Sequence, residues 1–569
     1  MTNMQQYNLW LTNATADPEL VRELEAIQGD PAAIEDRFYR ELAFGTGGLR
    51  GVLGAGTNRM NLYTVAKATQ GLSRYLRQSC PSPTVAVAYD SRINSRFFAE
   101  TAARVFAANG IGVHIYPTLM PTPALSFAVR DLGCDGGVVI TASHNPAKYN
   151  GYKVYGRDGC QITTEAARAI QAQIDLVNPF EDVQWADWDE ALTDGRIRFI
   201  GEDTVDRYMA ALDEASVLPP DVPRDVAIVY TPLNGAGISC VPRCLKEHGF
   251  TRITLVEEQK NPDGHFPTCP YPNPEIREAL EAGLRWAEKT GSELLLATDP
   301  DCDRVGAAVK TRQGYQLITG NQMGVLLLDF ICQMRKAQGT MPDAPIAVKT
   351  IVTTPMAARV AQHYGVQLID VLTGFKFIGE QIGLLEKKGE ARRYLFGFEE
   401  SYGYLSGSFA RDKDAVNASL LICEMFAYYK AKGLTLTDVL DALYRQHGYY
   451  EGRLLSYTFE GSAGFEHMQR LMDSLRSHPP KEITQLPVCS LGDYQSGVMR
   501  DASGHESPIL LPRSNVLRFF LKNGCEAVVR PSGTEPKLKI YLTATGQDKS
   551  ACLETAGKME AFFASWASE

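Results

Sequence analysis

The chain has 569 residues, of which 44% are hydrophobic and 22% are charged, a composition typical of folded globular proteins. One hydrophobic core does not extend over this length, so we expect three to five domains. The formal net charge is −10, from 57 basic and 67 acidic residues, and no block of five or more basic residues stands out. This charge balance argues against nucleic acid as a partner.

The sequence also argues against a membrane partner. No apolar run approaches the roughly 18 residues that span a bilayer, and the first residues lack the charged and apolar regions of a signal peptide. We therefore expect a cytoplasmic protein. The twelve cysteines are scattered without zinc-site spacing and are predicted to be reduced thiols. Cys302 is expected to be within reach of an oxidant or a soft metal, because it lies in an acidic loop.

Strand-like apolar runs alternate with amphipathic stretches of helical length along most of the chain. Strands are predicted at residues 85–89, 112–116, 137–140, 225–230, 293–297, 346–349, 367–371 and 394–396. Helices are predicted over residues 163–177 and 550–566. This alternation indicates an α/β fold. Domain breaks are expected near residues 203–205, between 334 and 345, and after 448.

The first polar loop that is a candidate for catalysis is TASHNP, residues 141–146, directly after an apolar run. A strand that ends in a short polar turn closed by proline presents the Ser143 hydroxyl at the rim of a sheet. A plain Asx or serine turn is the alternative at this point, because serine and asparagine bond readily to nearby backbone.

The second loop is DPDCDR, residues 299–304, which places three aspartates at alternate positions after an apolar strand. Carboxylates so arranged can turn their oxygens towards one point, and oxygen ligands suit Mg²⁺ better than zinc. An EF-hand is unsuitable, because Arg304 and Lys310 stand where that loop needs glycine and glutamate. A phosphatase with Asp299 as its nucleophile, or a solvated acidic turn, remains open. The three candidate metal ligands are Asp299, Asp301 and Asp303.

Two further loops have the side chains to bind a sugar phosphate. In GFEESYG, residues 397–403, Glu399 and Ser401 can hydrogen-bond vicinal hydroxyls. In RPSGTEPK, residues 530–537, a guanidinium, two hydroxyls and a backbone opened by glycine can hold a phosphate dianion. A polar turn is the alternative for the second of these loops.

These four loops, in this order and at this wide spacing, resemble those of the α-D-phosphohexomutase family. The opening FGTGGLRG, residues 44–51, also looks like the first loop of that family, and the resemblance covers nearly the whole chain. The form of the loops is most similar to the long bacterial members that act on glucose phosphates. Four or five matches in order are far more specific than any one of them.

The resemblance implies three similar α/β domains followed by a smaller α+β C-terminal domain, around a central active-site cleft. The implied boundaries are residues 1–204, 205–338, 339–448 and 449–569. The implied activity converts α-D-glucose 1-phosphate to glucose 6-phosphate and back, through a phosphoserine enzyme and glucose 1,6-bisphosphate, which also primes the enzyme. Partners are then small sugar phosphates, and the protein is a monomer or a small homo-oligomer.

The resemblance also assigns roles to residues. Ser143 carries the phosphoryl group, and the three aspartates bind Mg²⁺ together with an oxygen of that serine phosphate. Lys153 and Lys413 are candidates for acid–base help, and His144 steadies the loop or the phosphate. Charge on the phosphoryl oxygens is offset by Arg50, Arg304 and Lys153.

For the substrate, the resemblance assigns the sugar hydroxyls to Glu399 and Ser401, with a possible phosphate contact from Lys376. The phosphate that does not react is assigned to Arg530, Ser532, Gly533 and Thr534. Phe398 stands where many relatives have glycine, so it is expected to narrow the pocket. Alternatives are a phosphopentomutase, a phosphomannomutase or a glucose-1,6-bisphosphate synthase of the same family, and more distantly an aspartate-nucleophile sugar phosphatase or a non-catalytic sugar-phosphate-binding protein.

Overall fold

Three α/β segments and a last, largely antiparallel segment follow one another along the chain. The computed structural model describes residues 1–45, 47–459, 461–532 and 537–567. These residues pack into two compact units, one made of Met1–Gly320 with Phe375–Gly433 and the other of Asn321–Gly374 with Leu434–Glu569. Among the described residues, no helix is both long and apolar enough to span a bilayer.

The first segment contains nine helices and six strands among its described residues. They are α1 (Asn3–Asn13), α2 (Pro18–Ala26), α3 (Pro31–Phe38), β1 (Leu49–Val52), α4 (Leu62–Ser79), β2 (Thr84–Tyr89), α5 (Ser95–Ala108), β3 (Gly112–Ile115), α6 (Thr122–Asp131), β4 (Gly136–Ile140), β5 (Tyr149–Gly156), α7 (Thr164–Asp175), α8 (Trp188–Thr193), β6 (Ile197–Phe199) and α9 (Glu202–Asp213). The strand order is β1-β5-β4-β2-β3-β6. Strands β2, β3, β4 and β6 are parallel, and β5 is antiparallel to β4.

The second and third segments continue the pattern. They contain β7 (Ile228–Thr231), α10 (Val241–Glu247), β8 (Ile253–Leu255), α11 (Arg277–Thr290), β9 (Leu294–Thr298), β10 (Val305–Thr311), β11 (Gly314–Ile318), α12 (Gly320–Ala337), β12 (Ile346–Thr350), α13 (Met356–Tyr364), β13 (Gln367–Val371), α14 (Phe375–Lys387), β14 (Tyr394–Glu399), β15 (Gly403–Ser406), α15 (Ala415–Ala431) and α16 (Leu436–His447). Strands β7, β8 and β9 are parallel, whereas β10 is antiparallel to β9. Strands β12 and β13 are parallel, and β15 is antiparallel to β14.

The last segment is one antiparallel sheet with two helices. It contains β16 (Tyr449–Thr458), α17 (Gly461–Ser477), β17 (Glu482–Ile483), β18 (Leu486–Asp493), β19 (Val498–Asp501), β20 (Glu506–Pro508), β21 (Leu517–Leu521), β22 (Glu526–Pro531), β23 (Lys537–Gly546) and α18 (Lys549–Trp566). The order is β16-β23-β22-β21-β18-β19-β20, with β17 beside β18. Both helices share a buried apolar cluster with the sheet. The fold class predicted from the sequence is thereby confirmed.

One strand–loop–strand unit occurs three times. Strands β4, β9 and β14 each end in a polar loop, and the chain then returns in the antiparallel partner β5, β10 or β15. Each loop contains one non-glycine residue in the left-handed region, Ser143 (φ 53°), Cys302 (φ 52°) and Tyr402 (φ 64°). Such conformations cost roughly 1–3 kcal/mol each and persist only where the surroundings enforce them. The three loops are the serine, aspartate and sugar loops of the sequence.

All twelve cysteines are free. Cys302 is fully buried, and burial raises the pKa of its thiol well above its ordinary value. The expectation that an oxidant or a soft metal reaches Cys302 is therefore wrong.

The N-terminal helices α1–α3 form a small core of their own around Trp10, which packs on Tyr63 of α4. They hold the segment that follows β1. Glu23 accepts the Ala55 amide at 2.8 Å, and Arg37 pairs with Glu23 and donates to the Ala55 carbonyl at 3.2 Å. The segment thus rests against the helices through backbone contacts, which leaves no room for a side chain at Gly56.

Gly56→Ala is predicted to loosen this contact. Gly56 has φ 129°, and a Cβ there would lie 2.6 Å from the Arg37 carbonyl oxygen. Gly314→Ala is the matched control, since Gly314 has φ 108° but nothing within 4 Å of an added Cβ. Both variants carry backbone strain, and we expect Gly56→Ala to lose an additional 1–3 kcal/mol or so of local stability. Hydrogen exchange of α1–α3 measures this, and equal exchange in both variants would contradict it.

Candidate active site

The serine loop places a hydroxyl at the end of a buried strand. Ser143 follows β4, is only 4% exposed, and is held in its left-handed conformation by a 2.8 Å bond from its amide to the Thr141 hydroxyl. Its own hydroxyl donates to Asp299 Oδ2 at 2.9 Å and lies 3.2 Å from His144 Nδ1. The serine and aspartate loops, 156 residues apart in sequence, therefore meet at this hydroxyl.

Arg92 is a residue of this site that the sequence did not suggest. Its guanidinium donates to the carbonyls of Pro146 and Tyr149, each at 3.0 Å, and to those of Ser143 and Asn145. Arg92 is buried and forms an ion pair with Asp90 at 3.3 Å. One planar cation thus bonds four carbonyl groups and fixes the serine loop, a task for which the fork of arginine is suited.

The aspartate loop is closed by its own backbone. Asp299 Oδ1 accepts the amides of Asp303 at 3.1 Å and Arg304 at 3.0 Å, while Oδ2 accepts the serine hydroxyl. Thr122 at the start of α6 donates its hydroxyl to Asp301 Oδ2 at 3.0 Å. These bonds turn one oxygen of each of Asp299, Asp301 and Asp303 to within 4.8 Å of one another.

The three carboxylates form an unstable group without a cation. Burial, followed by the charges of Asp301 and Asp303, raises the pKa of Asp299 well above its ordinary value. Asp301 Oδ1 and Asp303 Oδ1 are buried and have no hydrogen-bond partner among the described residues. Orphaned carboxylate oxygens in a set of purely oxygen ligands fit a divalent cation of the Mg²⁺ type. The aspartate triad could therefore bind a metal ion.

Two buried lysines partly neutralise the group. Lys153, on β5, donates to Asp301 Oδ2 at 2.7 Å and to Asp303 Oδ2 at 3.2 Å, and Lys413 lies 3.1 Å from the same oxygen of Asp303. Burial opposes their charge, but the carboxylates outweigh it and raise the pKa of Lys153 and of Lys413 above their ordinary values. Asp412 positions Lys413, and is itself held by Tyr155 at 2.7 Å.

The other predicted polar residues of the first unit surround this cluster. Arg304 pairs with Glu275 and lies 3.8 Å from Asp303, and Arg50 donates to Asn145 of the serine loop at 3.4 Å. Burial, together with the charges of Arg304 and Arg50, lowers the pKa of His144 well below its ordinary value. The imidazole beside Ser143 is therefore neutral at neutral pH.

The sugar loop contributes Glu399, the last residue of β14. It is 5% exposed, and burial raises its pKa to about 7, with Lys413 acting in the opposite direction. Ser401 lies half-buried in the turn between β14 and β15. Phe398 is fully buried and stacks on Phe396 at 5.5 Å. Phe398 alternates with Glu399 along the strand, so the two side chains point to opposite faces of the sheet. That Phe398 narrows the pocket stays a prediction.

Several predicted substrate residues are not joined to the cluster by the described contacts. Lys376, in the first turn of α14, has its ammonium 4.8 Å from the ring of Phe377, and burial lowers its pKa. Arg530 and Ser532 are half-buried at the end of β22, in the second unit. Gly533 and Thr534 lie outside the described residues, so the phosphate-loop assignment stays a prediction.

Comparison with known proteins identifies the family. Residues 41–178, 206–314 and 319–447 match the phosphoglucomutase/phosphomannomutase alpha/beta/alpha domains I, II and III, and residues 496–555 match the C-terminal domain. A phosphoglucomutase of Staphylococcus aureus strain USA300 is 38% identical over 541 residues, which cover 94% of this chain and 95% of the relative.

Solved structures show the same fold at lower identity. The open form of parafusin, a phosphoglucomutase from Paramecium, has a TM-score of 0.66 at 18% identity and covers 92% of this chain and 95% of its own. A phosphoglucomutase/phosphomannomutase family protein from Burkholderia thailandensis has a TM-score of 0.65 at 19% identity, covering 92% and 96%. The chain belongs to the phosphoglucomutase/phosphomannomutase family. It is an isomerase of the phosphomutase type.

Asp299→Asn is predicted to remove metal binding without harming the metal-free fold. Burial and the charges of Asp301 and Asp303 oppose a negative charge on Asp299, so an uncharged isosteric amide relieves repulsion at little cost. We expect Mg²⁺ to stabilise the wild type, by about 2.7 kcal/mol at a hundredfold excess over its Kd. The variant loses that stabilisation.

Thermal unfolding with MgCl₂ and with EDTA measures this effect. Asp329→Asn is the control, since Asp329 is also buried with a pKa raised by burial but is bonded to Tyr364 in α12–α13. The control retains the response to Mg²⁺. A full response in Asp299→Asn would show that the triad is not the metal site.

Arg92→Lys is predicted to lower turnover, because one ammonium cannot bond four carbonyl groups and the serine loop loses its fixed position. Misplacement of a reacting group by about 1 Å can cost roughly 10² in rate, so we expect kcat to fall by about that factor while KM changes less. Arg96→Lys, at an exposed arginine paired with Glu100, is the control. Phosphomutase kinetics measure kcat and KM, and circular dichroism shows whether the variant is folded. An unchanged kcat in folded Arg92→Lys would contradict the role of Arg92 in fixing the serine loop.

Proposed function

We propose that the chain interconverts α-D-glucose 1-phosphate and glucose 6-phosphate, with Ser143 as the carrier of the phosphoryl group. The observation behind this proposal is the 2.9 Å bond from the Ser143 hydroxyl to Asp299, at the edge of the buried aspartate triad. A serine so placed can hold a phosphoryl group next to a cation. The phosphoglucomutase name of the Staphylococcus aureus relative supports glucose as the sugar.

The proposed cycle begins with phosphorylated Ser143. A hydroxyl of the bound monophosphate attacks phosphorus and gives its proton to a base, while the bond from phosphorus to Ser143 Oγ breaks and Oγ takes up a proton, so that no net proton is gained or lost. Glucose 1,6-bisphosphate results, reorients, and returns its other phosphoryl group to the serine. The same bisphosphate also primes unphosphorylated enzyme. Neutral His144 has Nδ1 3.2 Å from the serine oxygen, and in the Nδ1–H tautomer it can donate a hydrogen bond to Ser143 Oγ while the hydroxyl proton is given to Asp299.

Charge neutralisation is divided among several groups. Asp299, Asp301 and Asp303 would hold Mg²⁺ together with an oxygen of the serine phosphate, and the ion supplies positive charge near the phosphoryl oxygens. Three carboxylates and a phosphate still leave excess negative charge. Lys153 and Lys413, both ammonium groups in this arrangement, reduce it. Arg50 and Arg304 approach from the serine and aspartate loops and add to the same field.

The base for the sugar hydroxyl has three candidates. Lys153 and Lys413 are the candidates implied by the family resemblance, but the carboxylates keep them protonated in the described arrangement. Glu399, with a pKa of about 7, exists in both protonation states at neutral pH. A group whose pKa lies near the working pH is favourable for general acid–base catalysis, typically by about 10² to 10⁴ in rate.

Recognition of the substrate is assigned to two regions. Glu399 and Ser401 bind sugar hydroxyls, with Lys376 as an additional phosphate contact. Arg530, Ser532, Gly533 and Thr534 bind the phosphate that does not react, an assignment supported by the family resemblance of their loop. Pentose and mannose phosphates, and net synthesis of the bisphosphate, remain the alternatives within the family.

The experiment follows conversion of α-D-glucose 1-phosphate to glucose 6-phosphate with Mg²⁺ and catalytic glucose 1,6-bisphosphate. We expect Ser143→Ala to lose turnover by several orders of magnitude and to lose the single phosphate seen by mass spectrometry of the intact wild type. Ser503→Ala, at an exposed serine, is the control.

The alternatives give different outcomes in the same assay. Turnover of mannose or ribose phosphates, but not glucose phosphates, would retain the serine mechanism and replace the substrate. Net release of phosphate, or full activity in Ser143→Ala, would overturn the proposal in favour of an aspartate nucleophile.

A further inference from the structure

A polar groove of about 450 Å³ lies in the second unit and shares no residue with the proposed reaction site. It lies at the ends of α13 and α16 and the start of β16, and is called here the basic groove. Its lining residues are Arg359, Gln362, His363, Gln446, His447 and Tyr450. We propose that the basic groove binds a small phosphorylated metabolite.

The lining has the chemistry of an anion site. It offers one guanidinium, two imidazoles, two amides and a phenol, and none of the six lining residues is acidic. The imidazole rings of His363 and His447 have their centroids 5.9 Å apart. Phosphate is the common biological anion that accepts several such donors at once.

His447 lacks a partner that a phosphate would supply. Its Nε2 is buried and has no hydrogen-bond partner among the described residues. Burial, together with the charges of His363 and Arg359, lowers its pKa. The groove thus places the Arg359 guanidinium near an imidazole whose Nε2 has no partner among the described residues, and a bound dianion would favour the protonated form of that imidazole.

The acid that interacts with His363 is Asp329 of α12, which is buried, has its pKa raised by burial, and accepts the Tyr364 hydroxyl at 2.9 Å. Asp329 is therefore engaged with Tyr364 and does not occupy the groove. On the other side, the amide nitrogen of Gln446 lies 3.4 Å from His363 Nδ1, which can accept a hydrogen bond from it.

A transition-metal ion on the two imidazoles is the rival occupant. Structural zinc sites use four protein ligands and catalytic ones usually three. Here no thiolate or carboxylate lines the groove beside the histidines. Among the described residues, the cluster of three or more metal-ligating side chains is the aspartate triad and not this groove. An anion is therefore the better match.

Because of the position of the groove, a bound ligand would connect two parts of the second unit. His447 ends α16, Gly448 has φ 95°, and Tyr450 lies on β16 of the large antiparallel sheet. A ligand that bonds Arg359 of α13 and Tyr450 at once ties the helical layer to that sheet across the Gly448 connection. Binding is thus expected to stabilise the second unit.

Histidine-resolved NMR tests the proposal on the full chain, whose nine histidines are labelled at ¹³Cε1. The probe is inorganic phosphate, titrated against sodium chloride of equal ionic strength. We expect saturable shifts of the His363 and His447 signals, identified by their loss in His363→Gln and His447→Gln, and a rise in the pKa of His447. Phosphate bound in the reaction site is reported separately by His144.

Arg359→Gln should weaken phosphate binding at these two signals about tenfold or more, the size of a lost charged hydrogen bond. Arg445→Gln is the matched control, since Arg445 is an exposed arginine of the same helix end outside the groove. It should retain wild-type affinity. A second arm titrates Zn²⁺. Absence of the phosphate shifts, their persistence in Arg359→Gln, or a response to Zn²⁺ alone would overturn the proposal, whatever the outcome for Ser143.

Discussion

Three buried carboxylates that cannot all be ionised on their own are the constraint around which the first unit is arranged. The aspartate loop brings Asp299, Asp301 and Asp303 to within 4.8 Å, and burial raises the cost of each negative charge. Lys153 and Lys413 reach the group from two other segments of the chain and share one oxygen of Asp303. The pairing fixes these segments relative to one another and still leaves two carboxylate oxygens without a partner. These oxygens without a partner are the reason why the loop could bind a metal ion.

The serine depends on the same arrangement. Ser143 is held in a strained backbone conformation by Arg92 and by Thr141, and its hydroxyl meets Asp299 at the triad. The strained backbone, the hydrogen bonds from Arg92 and the acceptor Asp299 together place the Ser143 oxygen where it can carry a phosphoryl group next to a cation. This is preorganisation, since the protein orders the loop on folding rather than in the transition state. The cost of the strain is offset by four hydrogen bonds to one buried arginine.

The sequence predicted β4, β9 and β14 and the polar loops after them, because each of these strands is an apolar run that ends sharply, a local signal. It did not predict the strands of the last sheet, β16 to β23. It did not reveal Arg92, whose surroundings DSRIN read as an ordinary polar turn and whose four acceptors lie 51 to 57 residues away. Strand β5 was missed for a related reason. Its residues, YNGYKVYG, mix polar and apolar types. Lys153 faces the aspartates, and a Cβ added at Gly151 would lie only 2.5 Å from the Thr141 carbonyl oxygen, so a side chain does not fit there. Site residues break the local pattern by which strands are recognised.

The basic groove illustrates the opposite limit of sequence reasoning. Arg359 and His363 are one turn apart on α13, but His447 lies 84 residues further along, and none of the three belongs to a motif. Only packing of α13 against α16 brings them together. None of the six residues that line the groove is acidic, so no carboxylate of the lining pairs with Arg359. In a chain with ten excess negative charges, many arrangements could have neutralised its charge. That the fold leaves the cluster open to solvent, at the glycine connection to its last sheet, is the physical reason to regard the groove as a binding site.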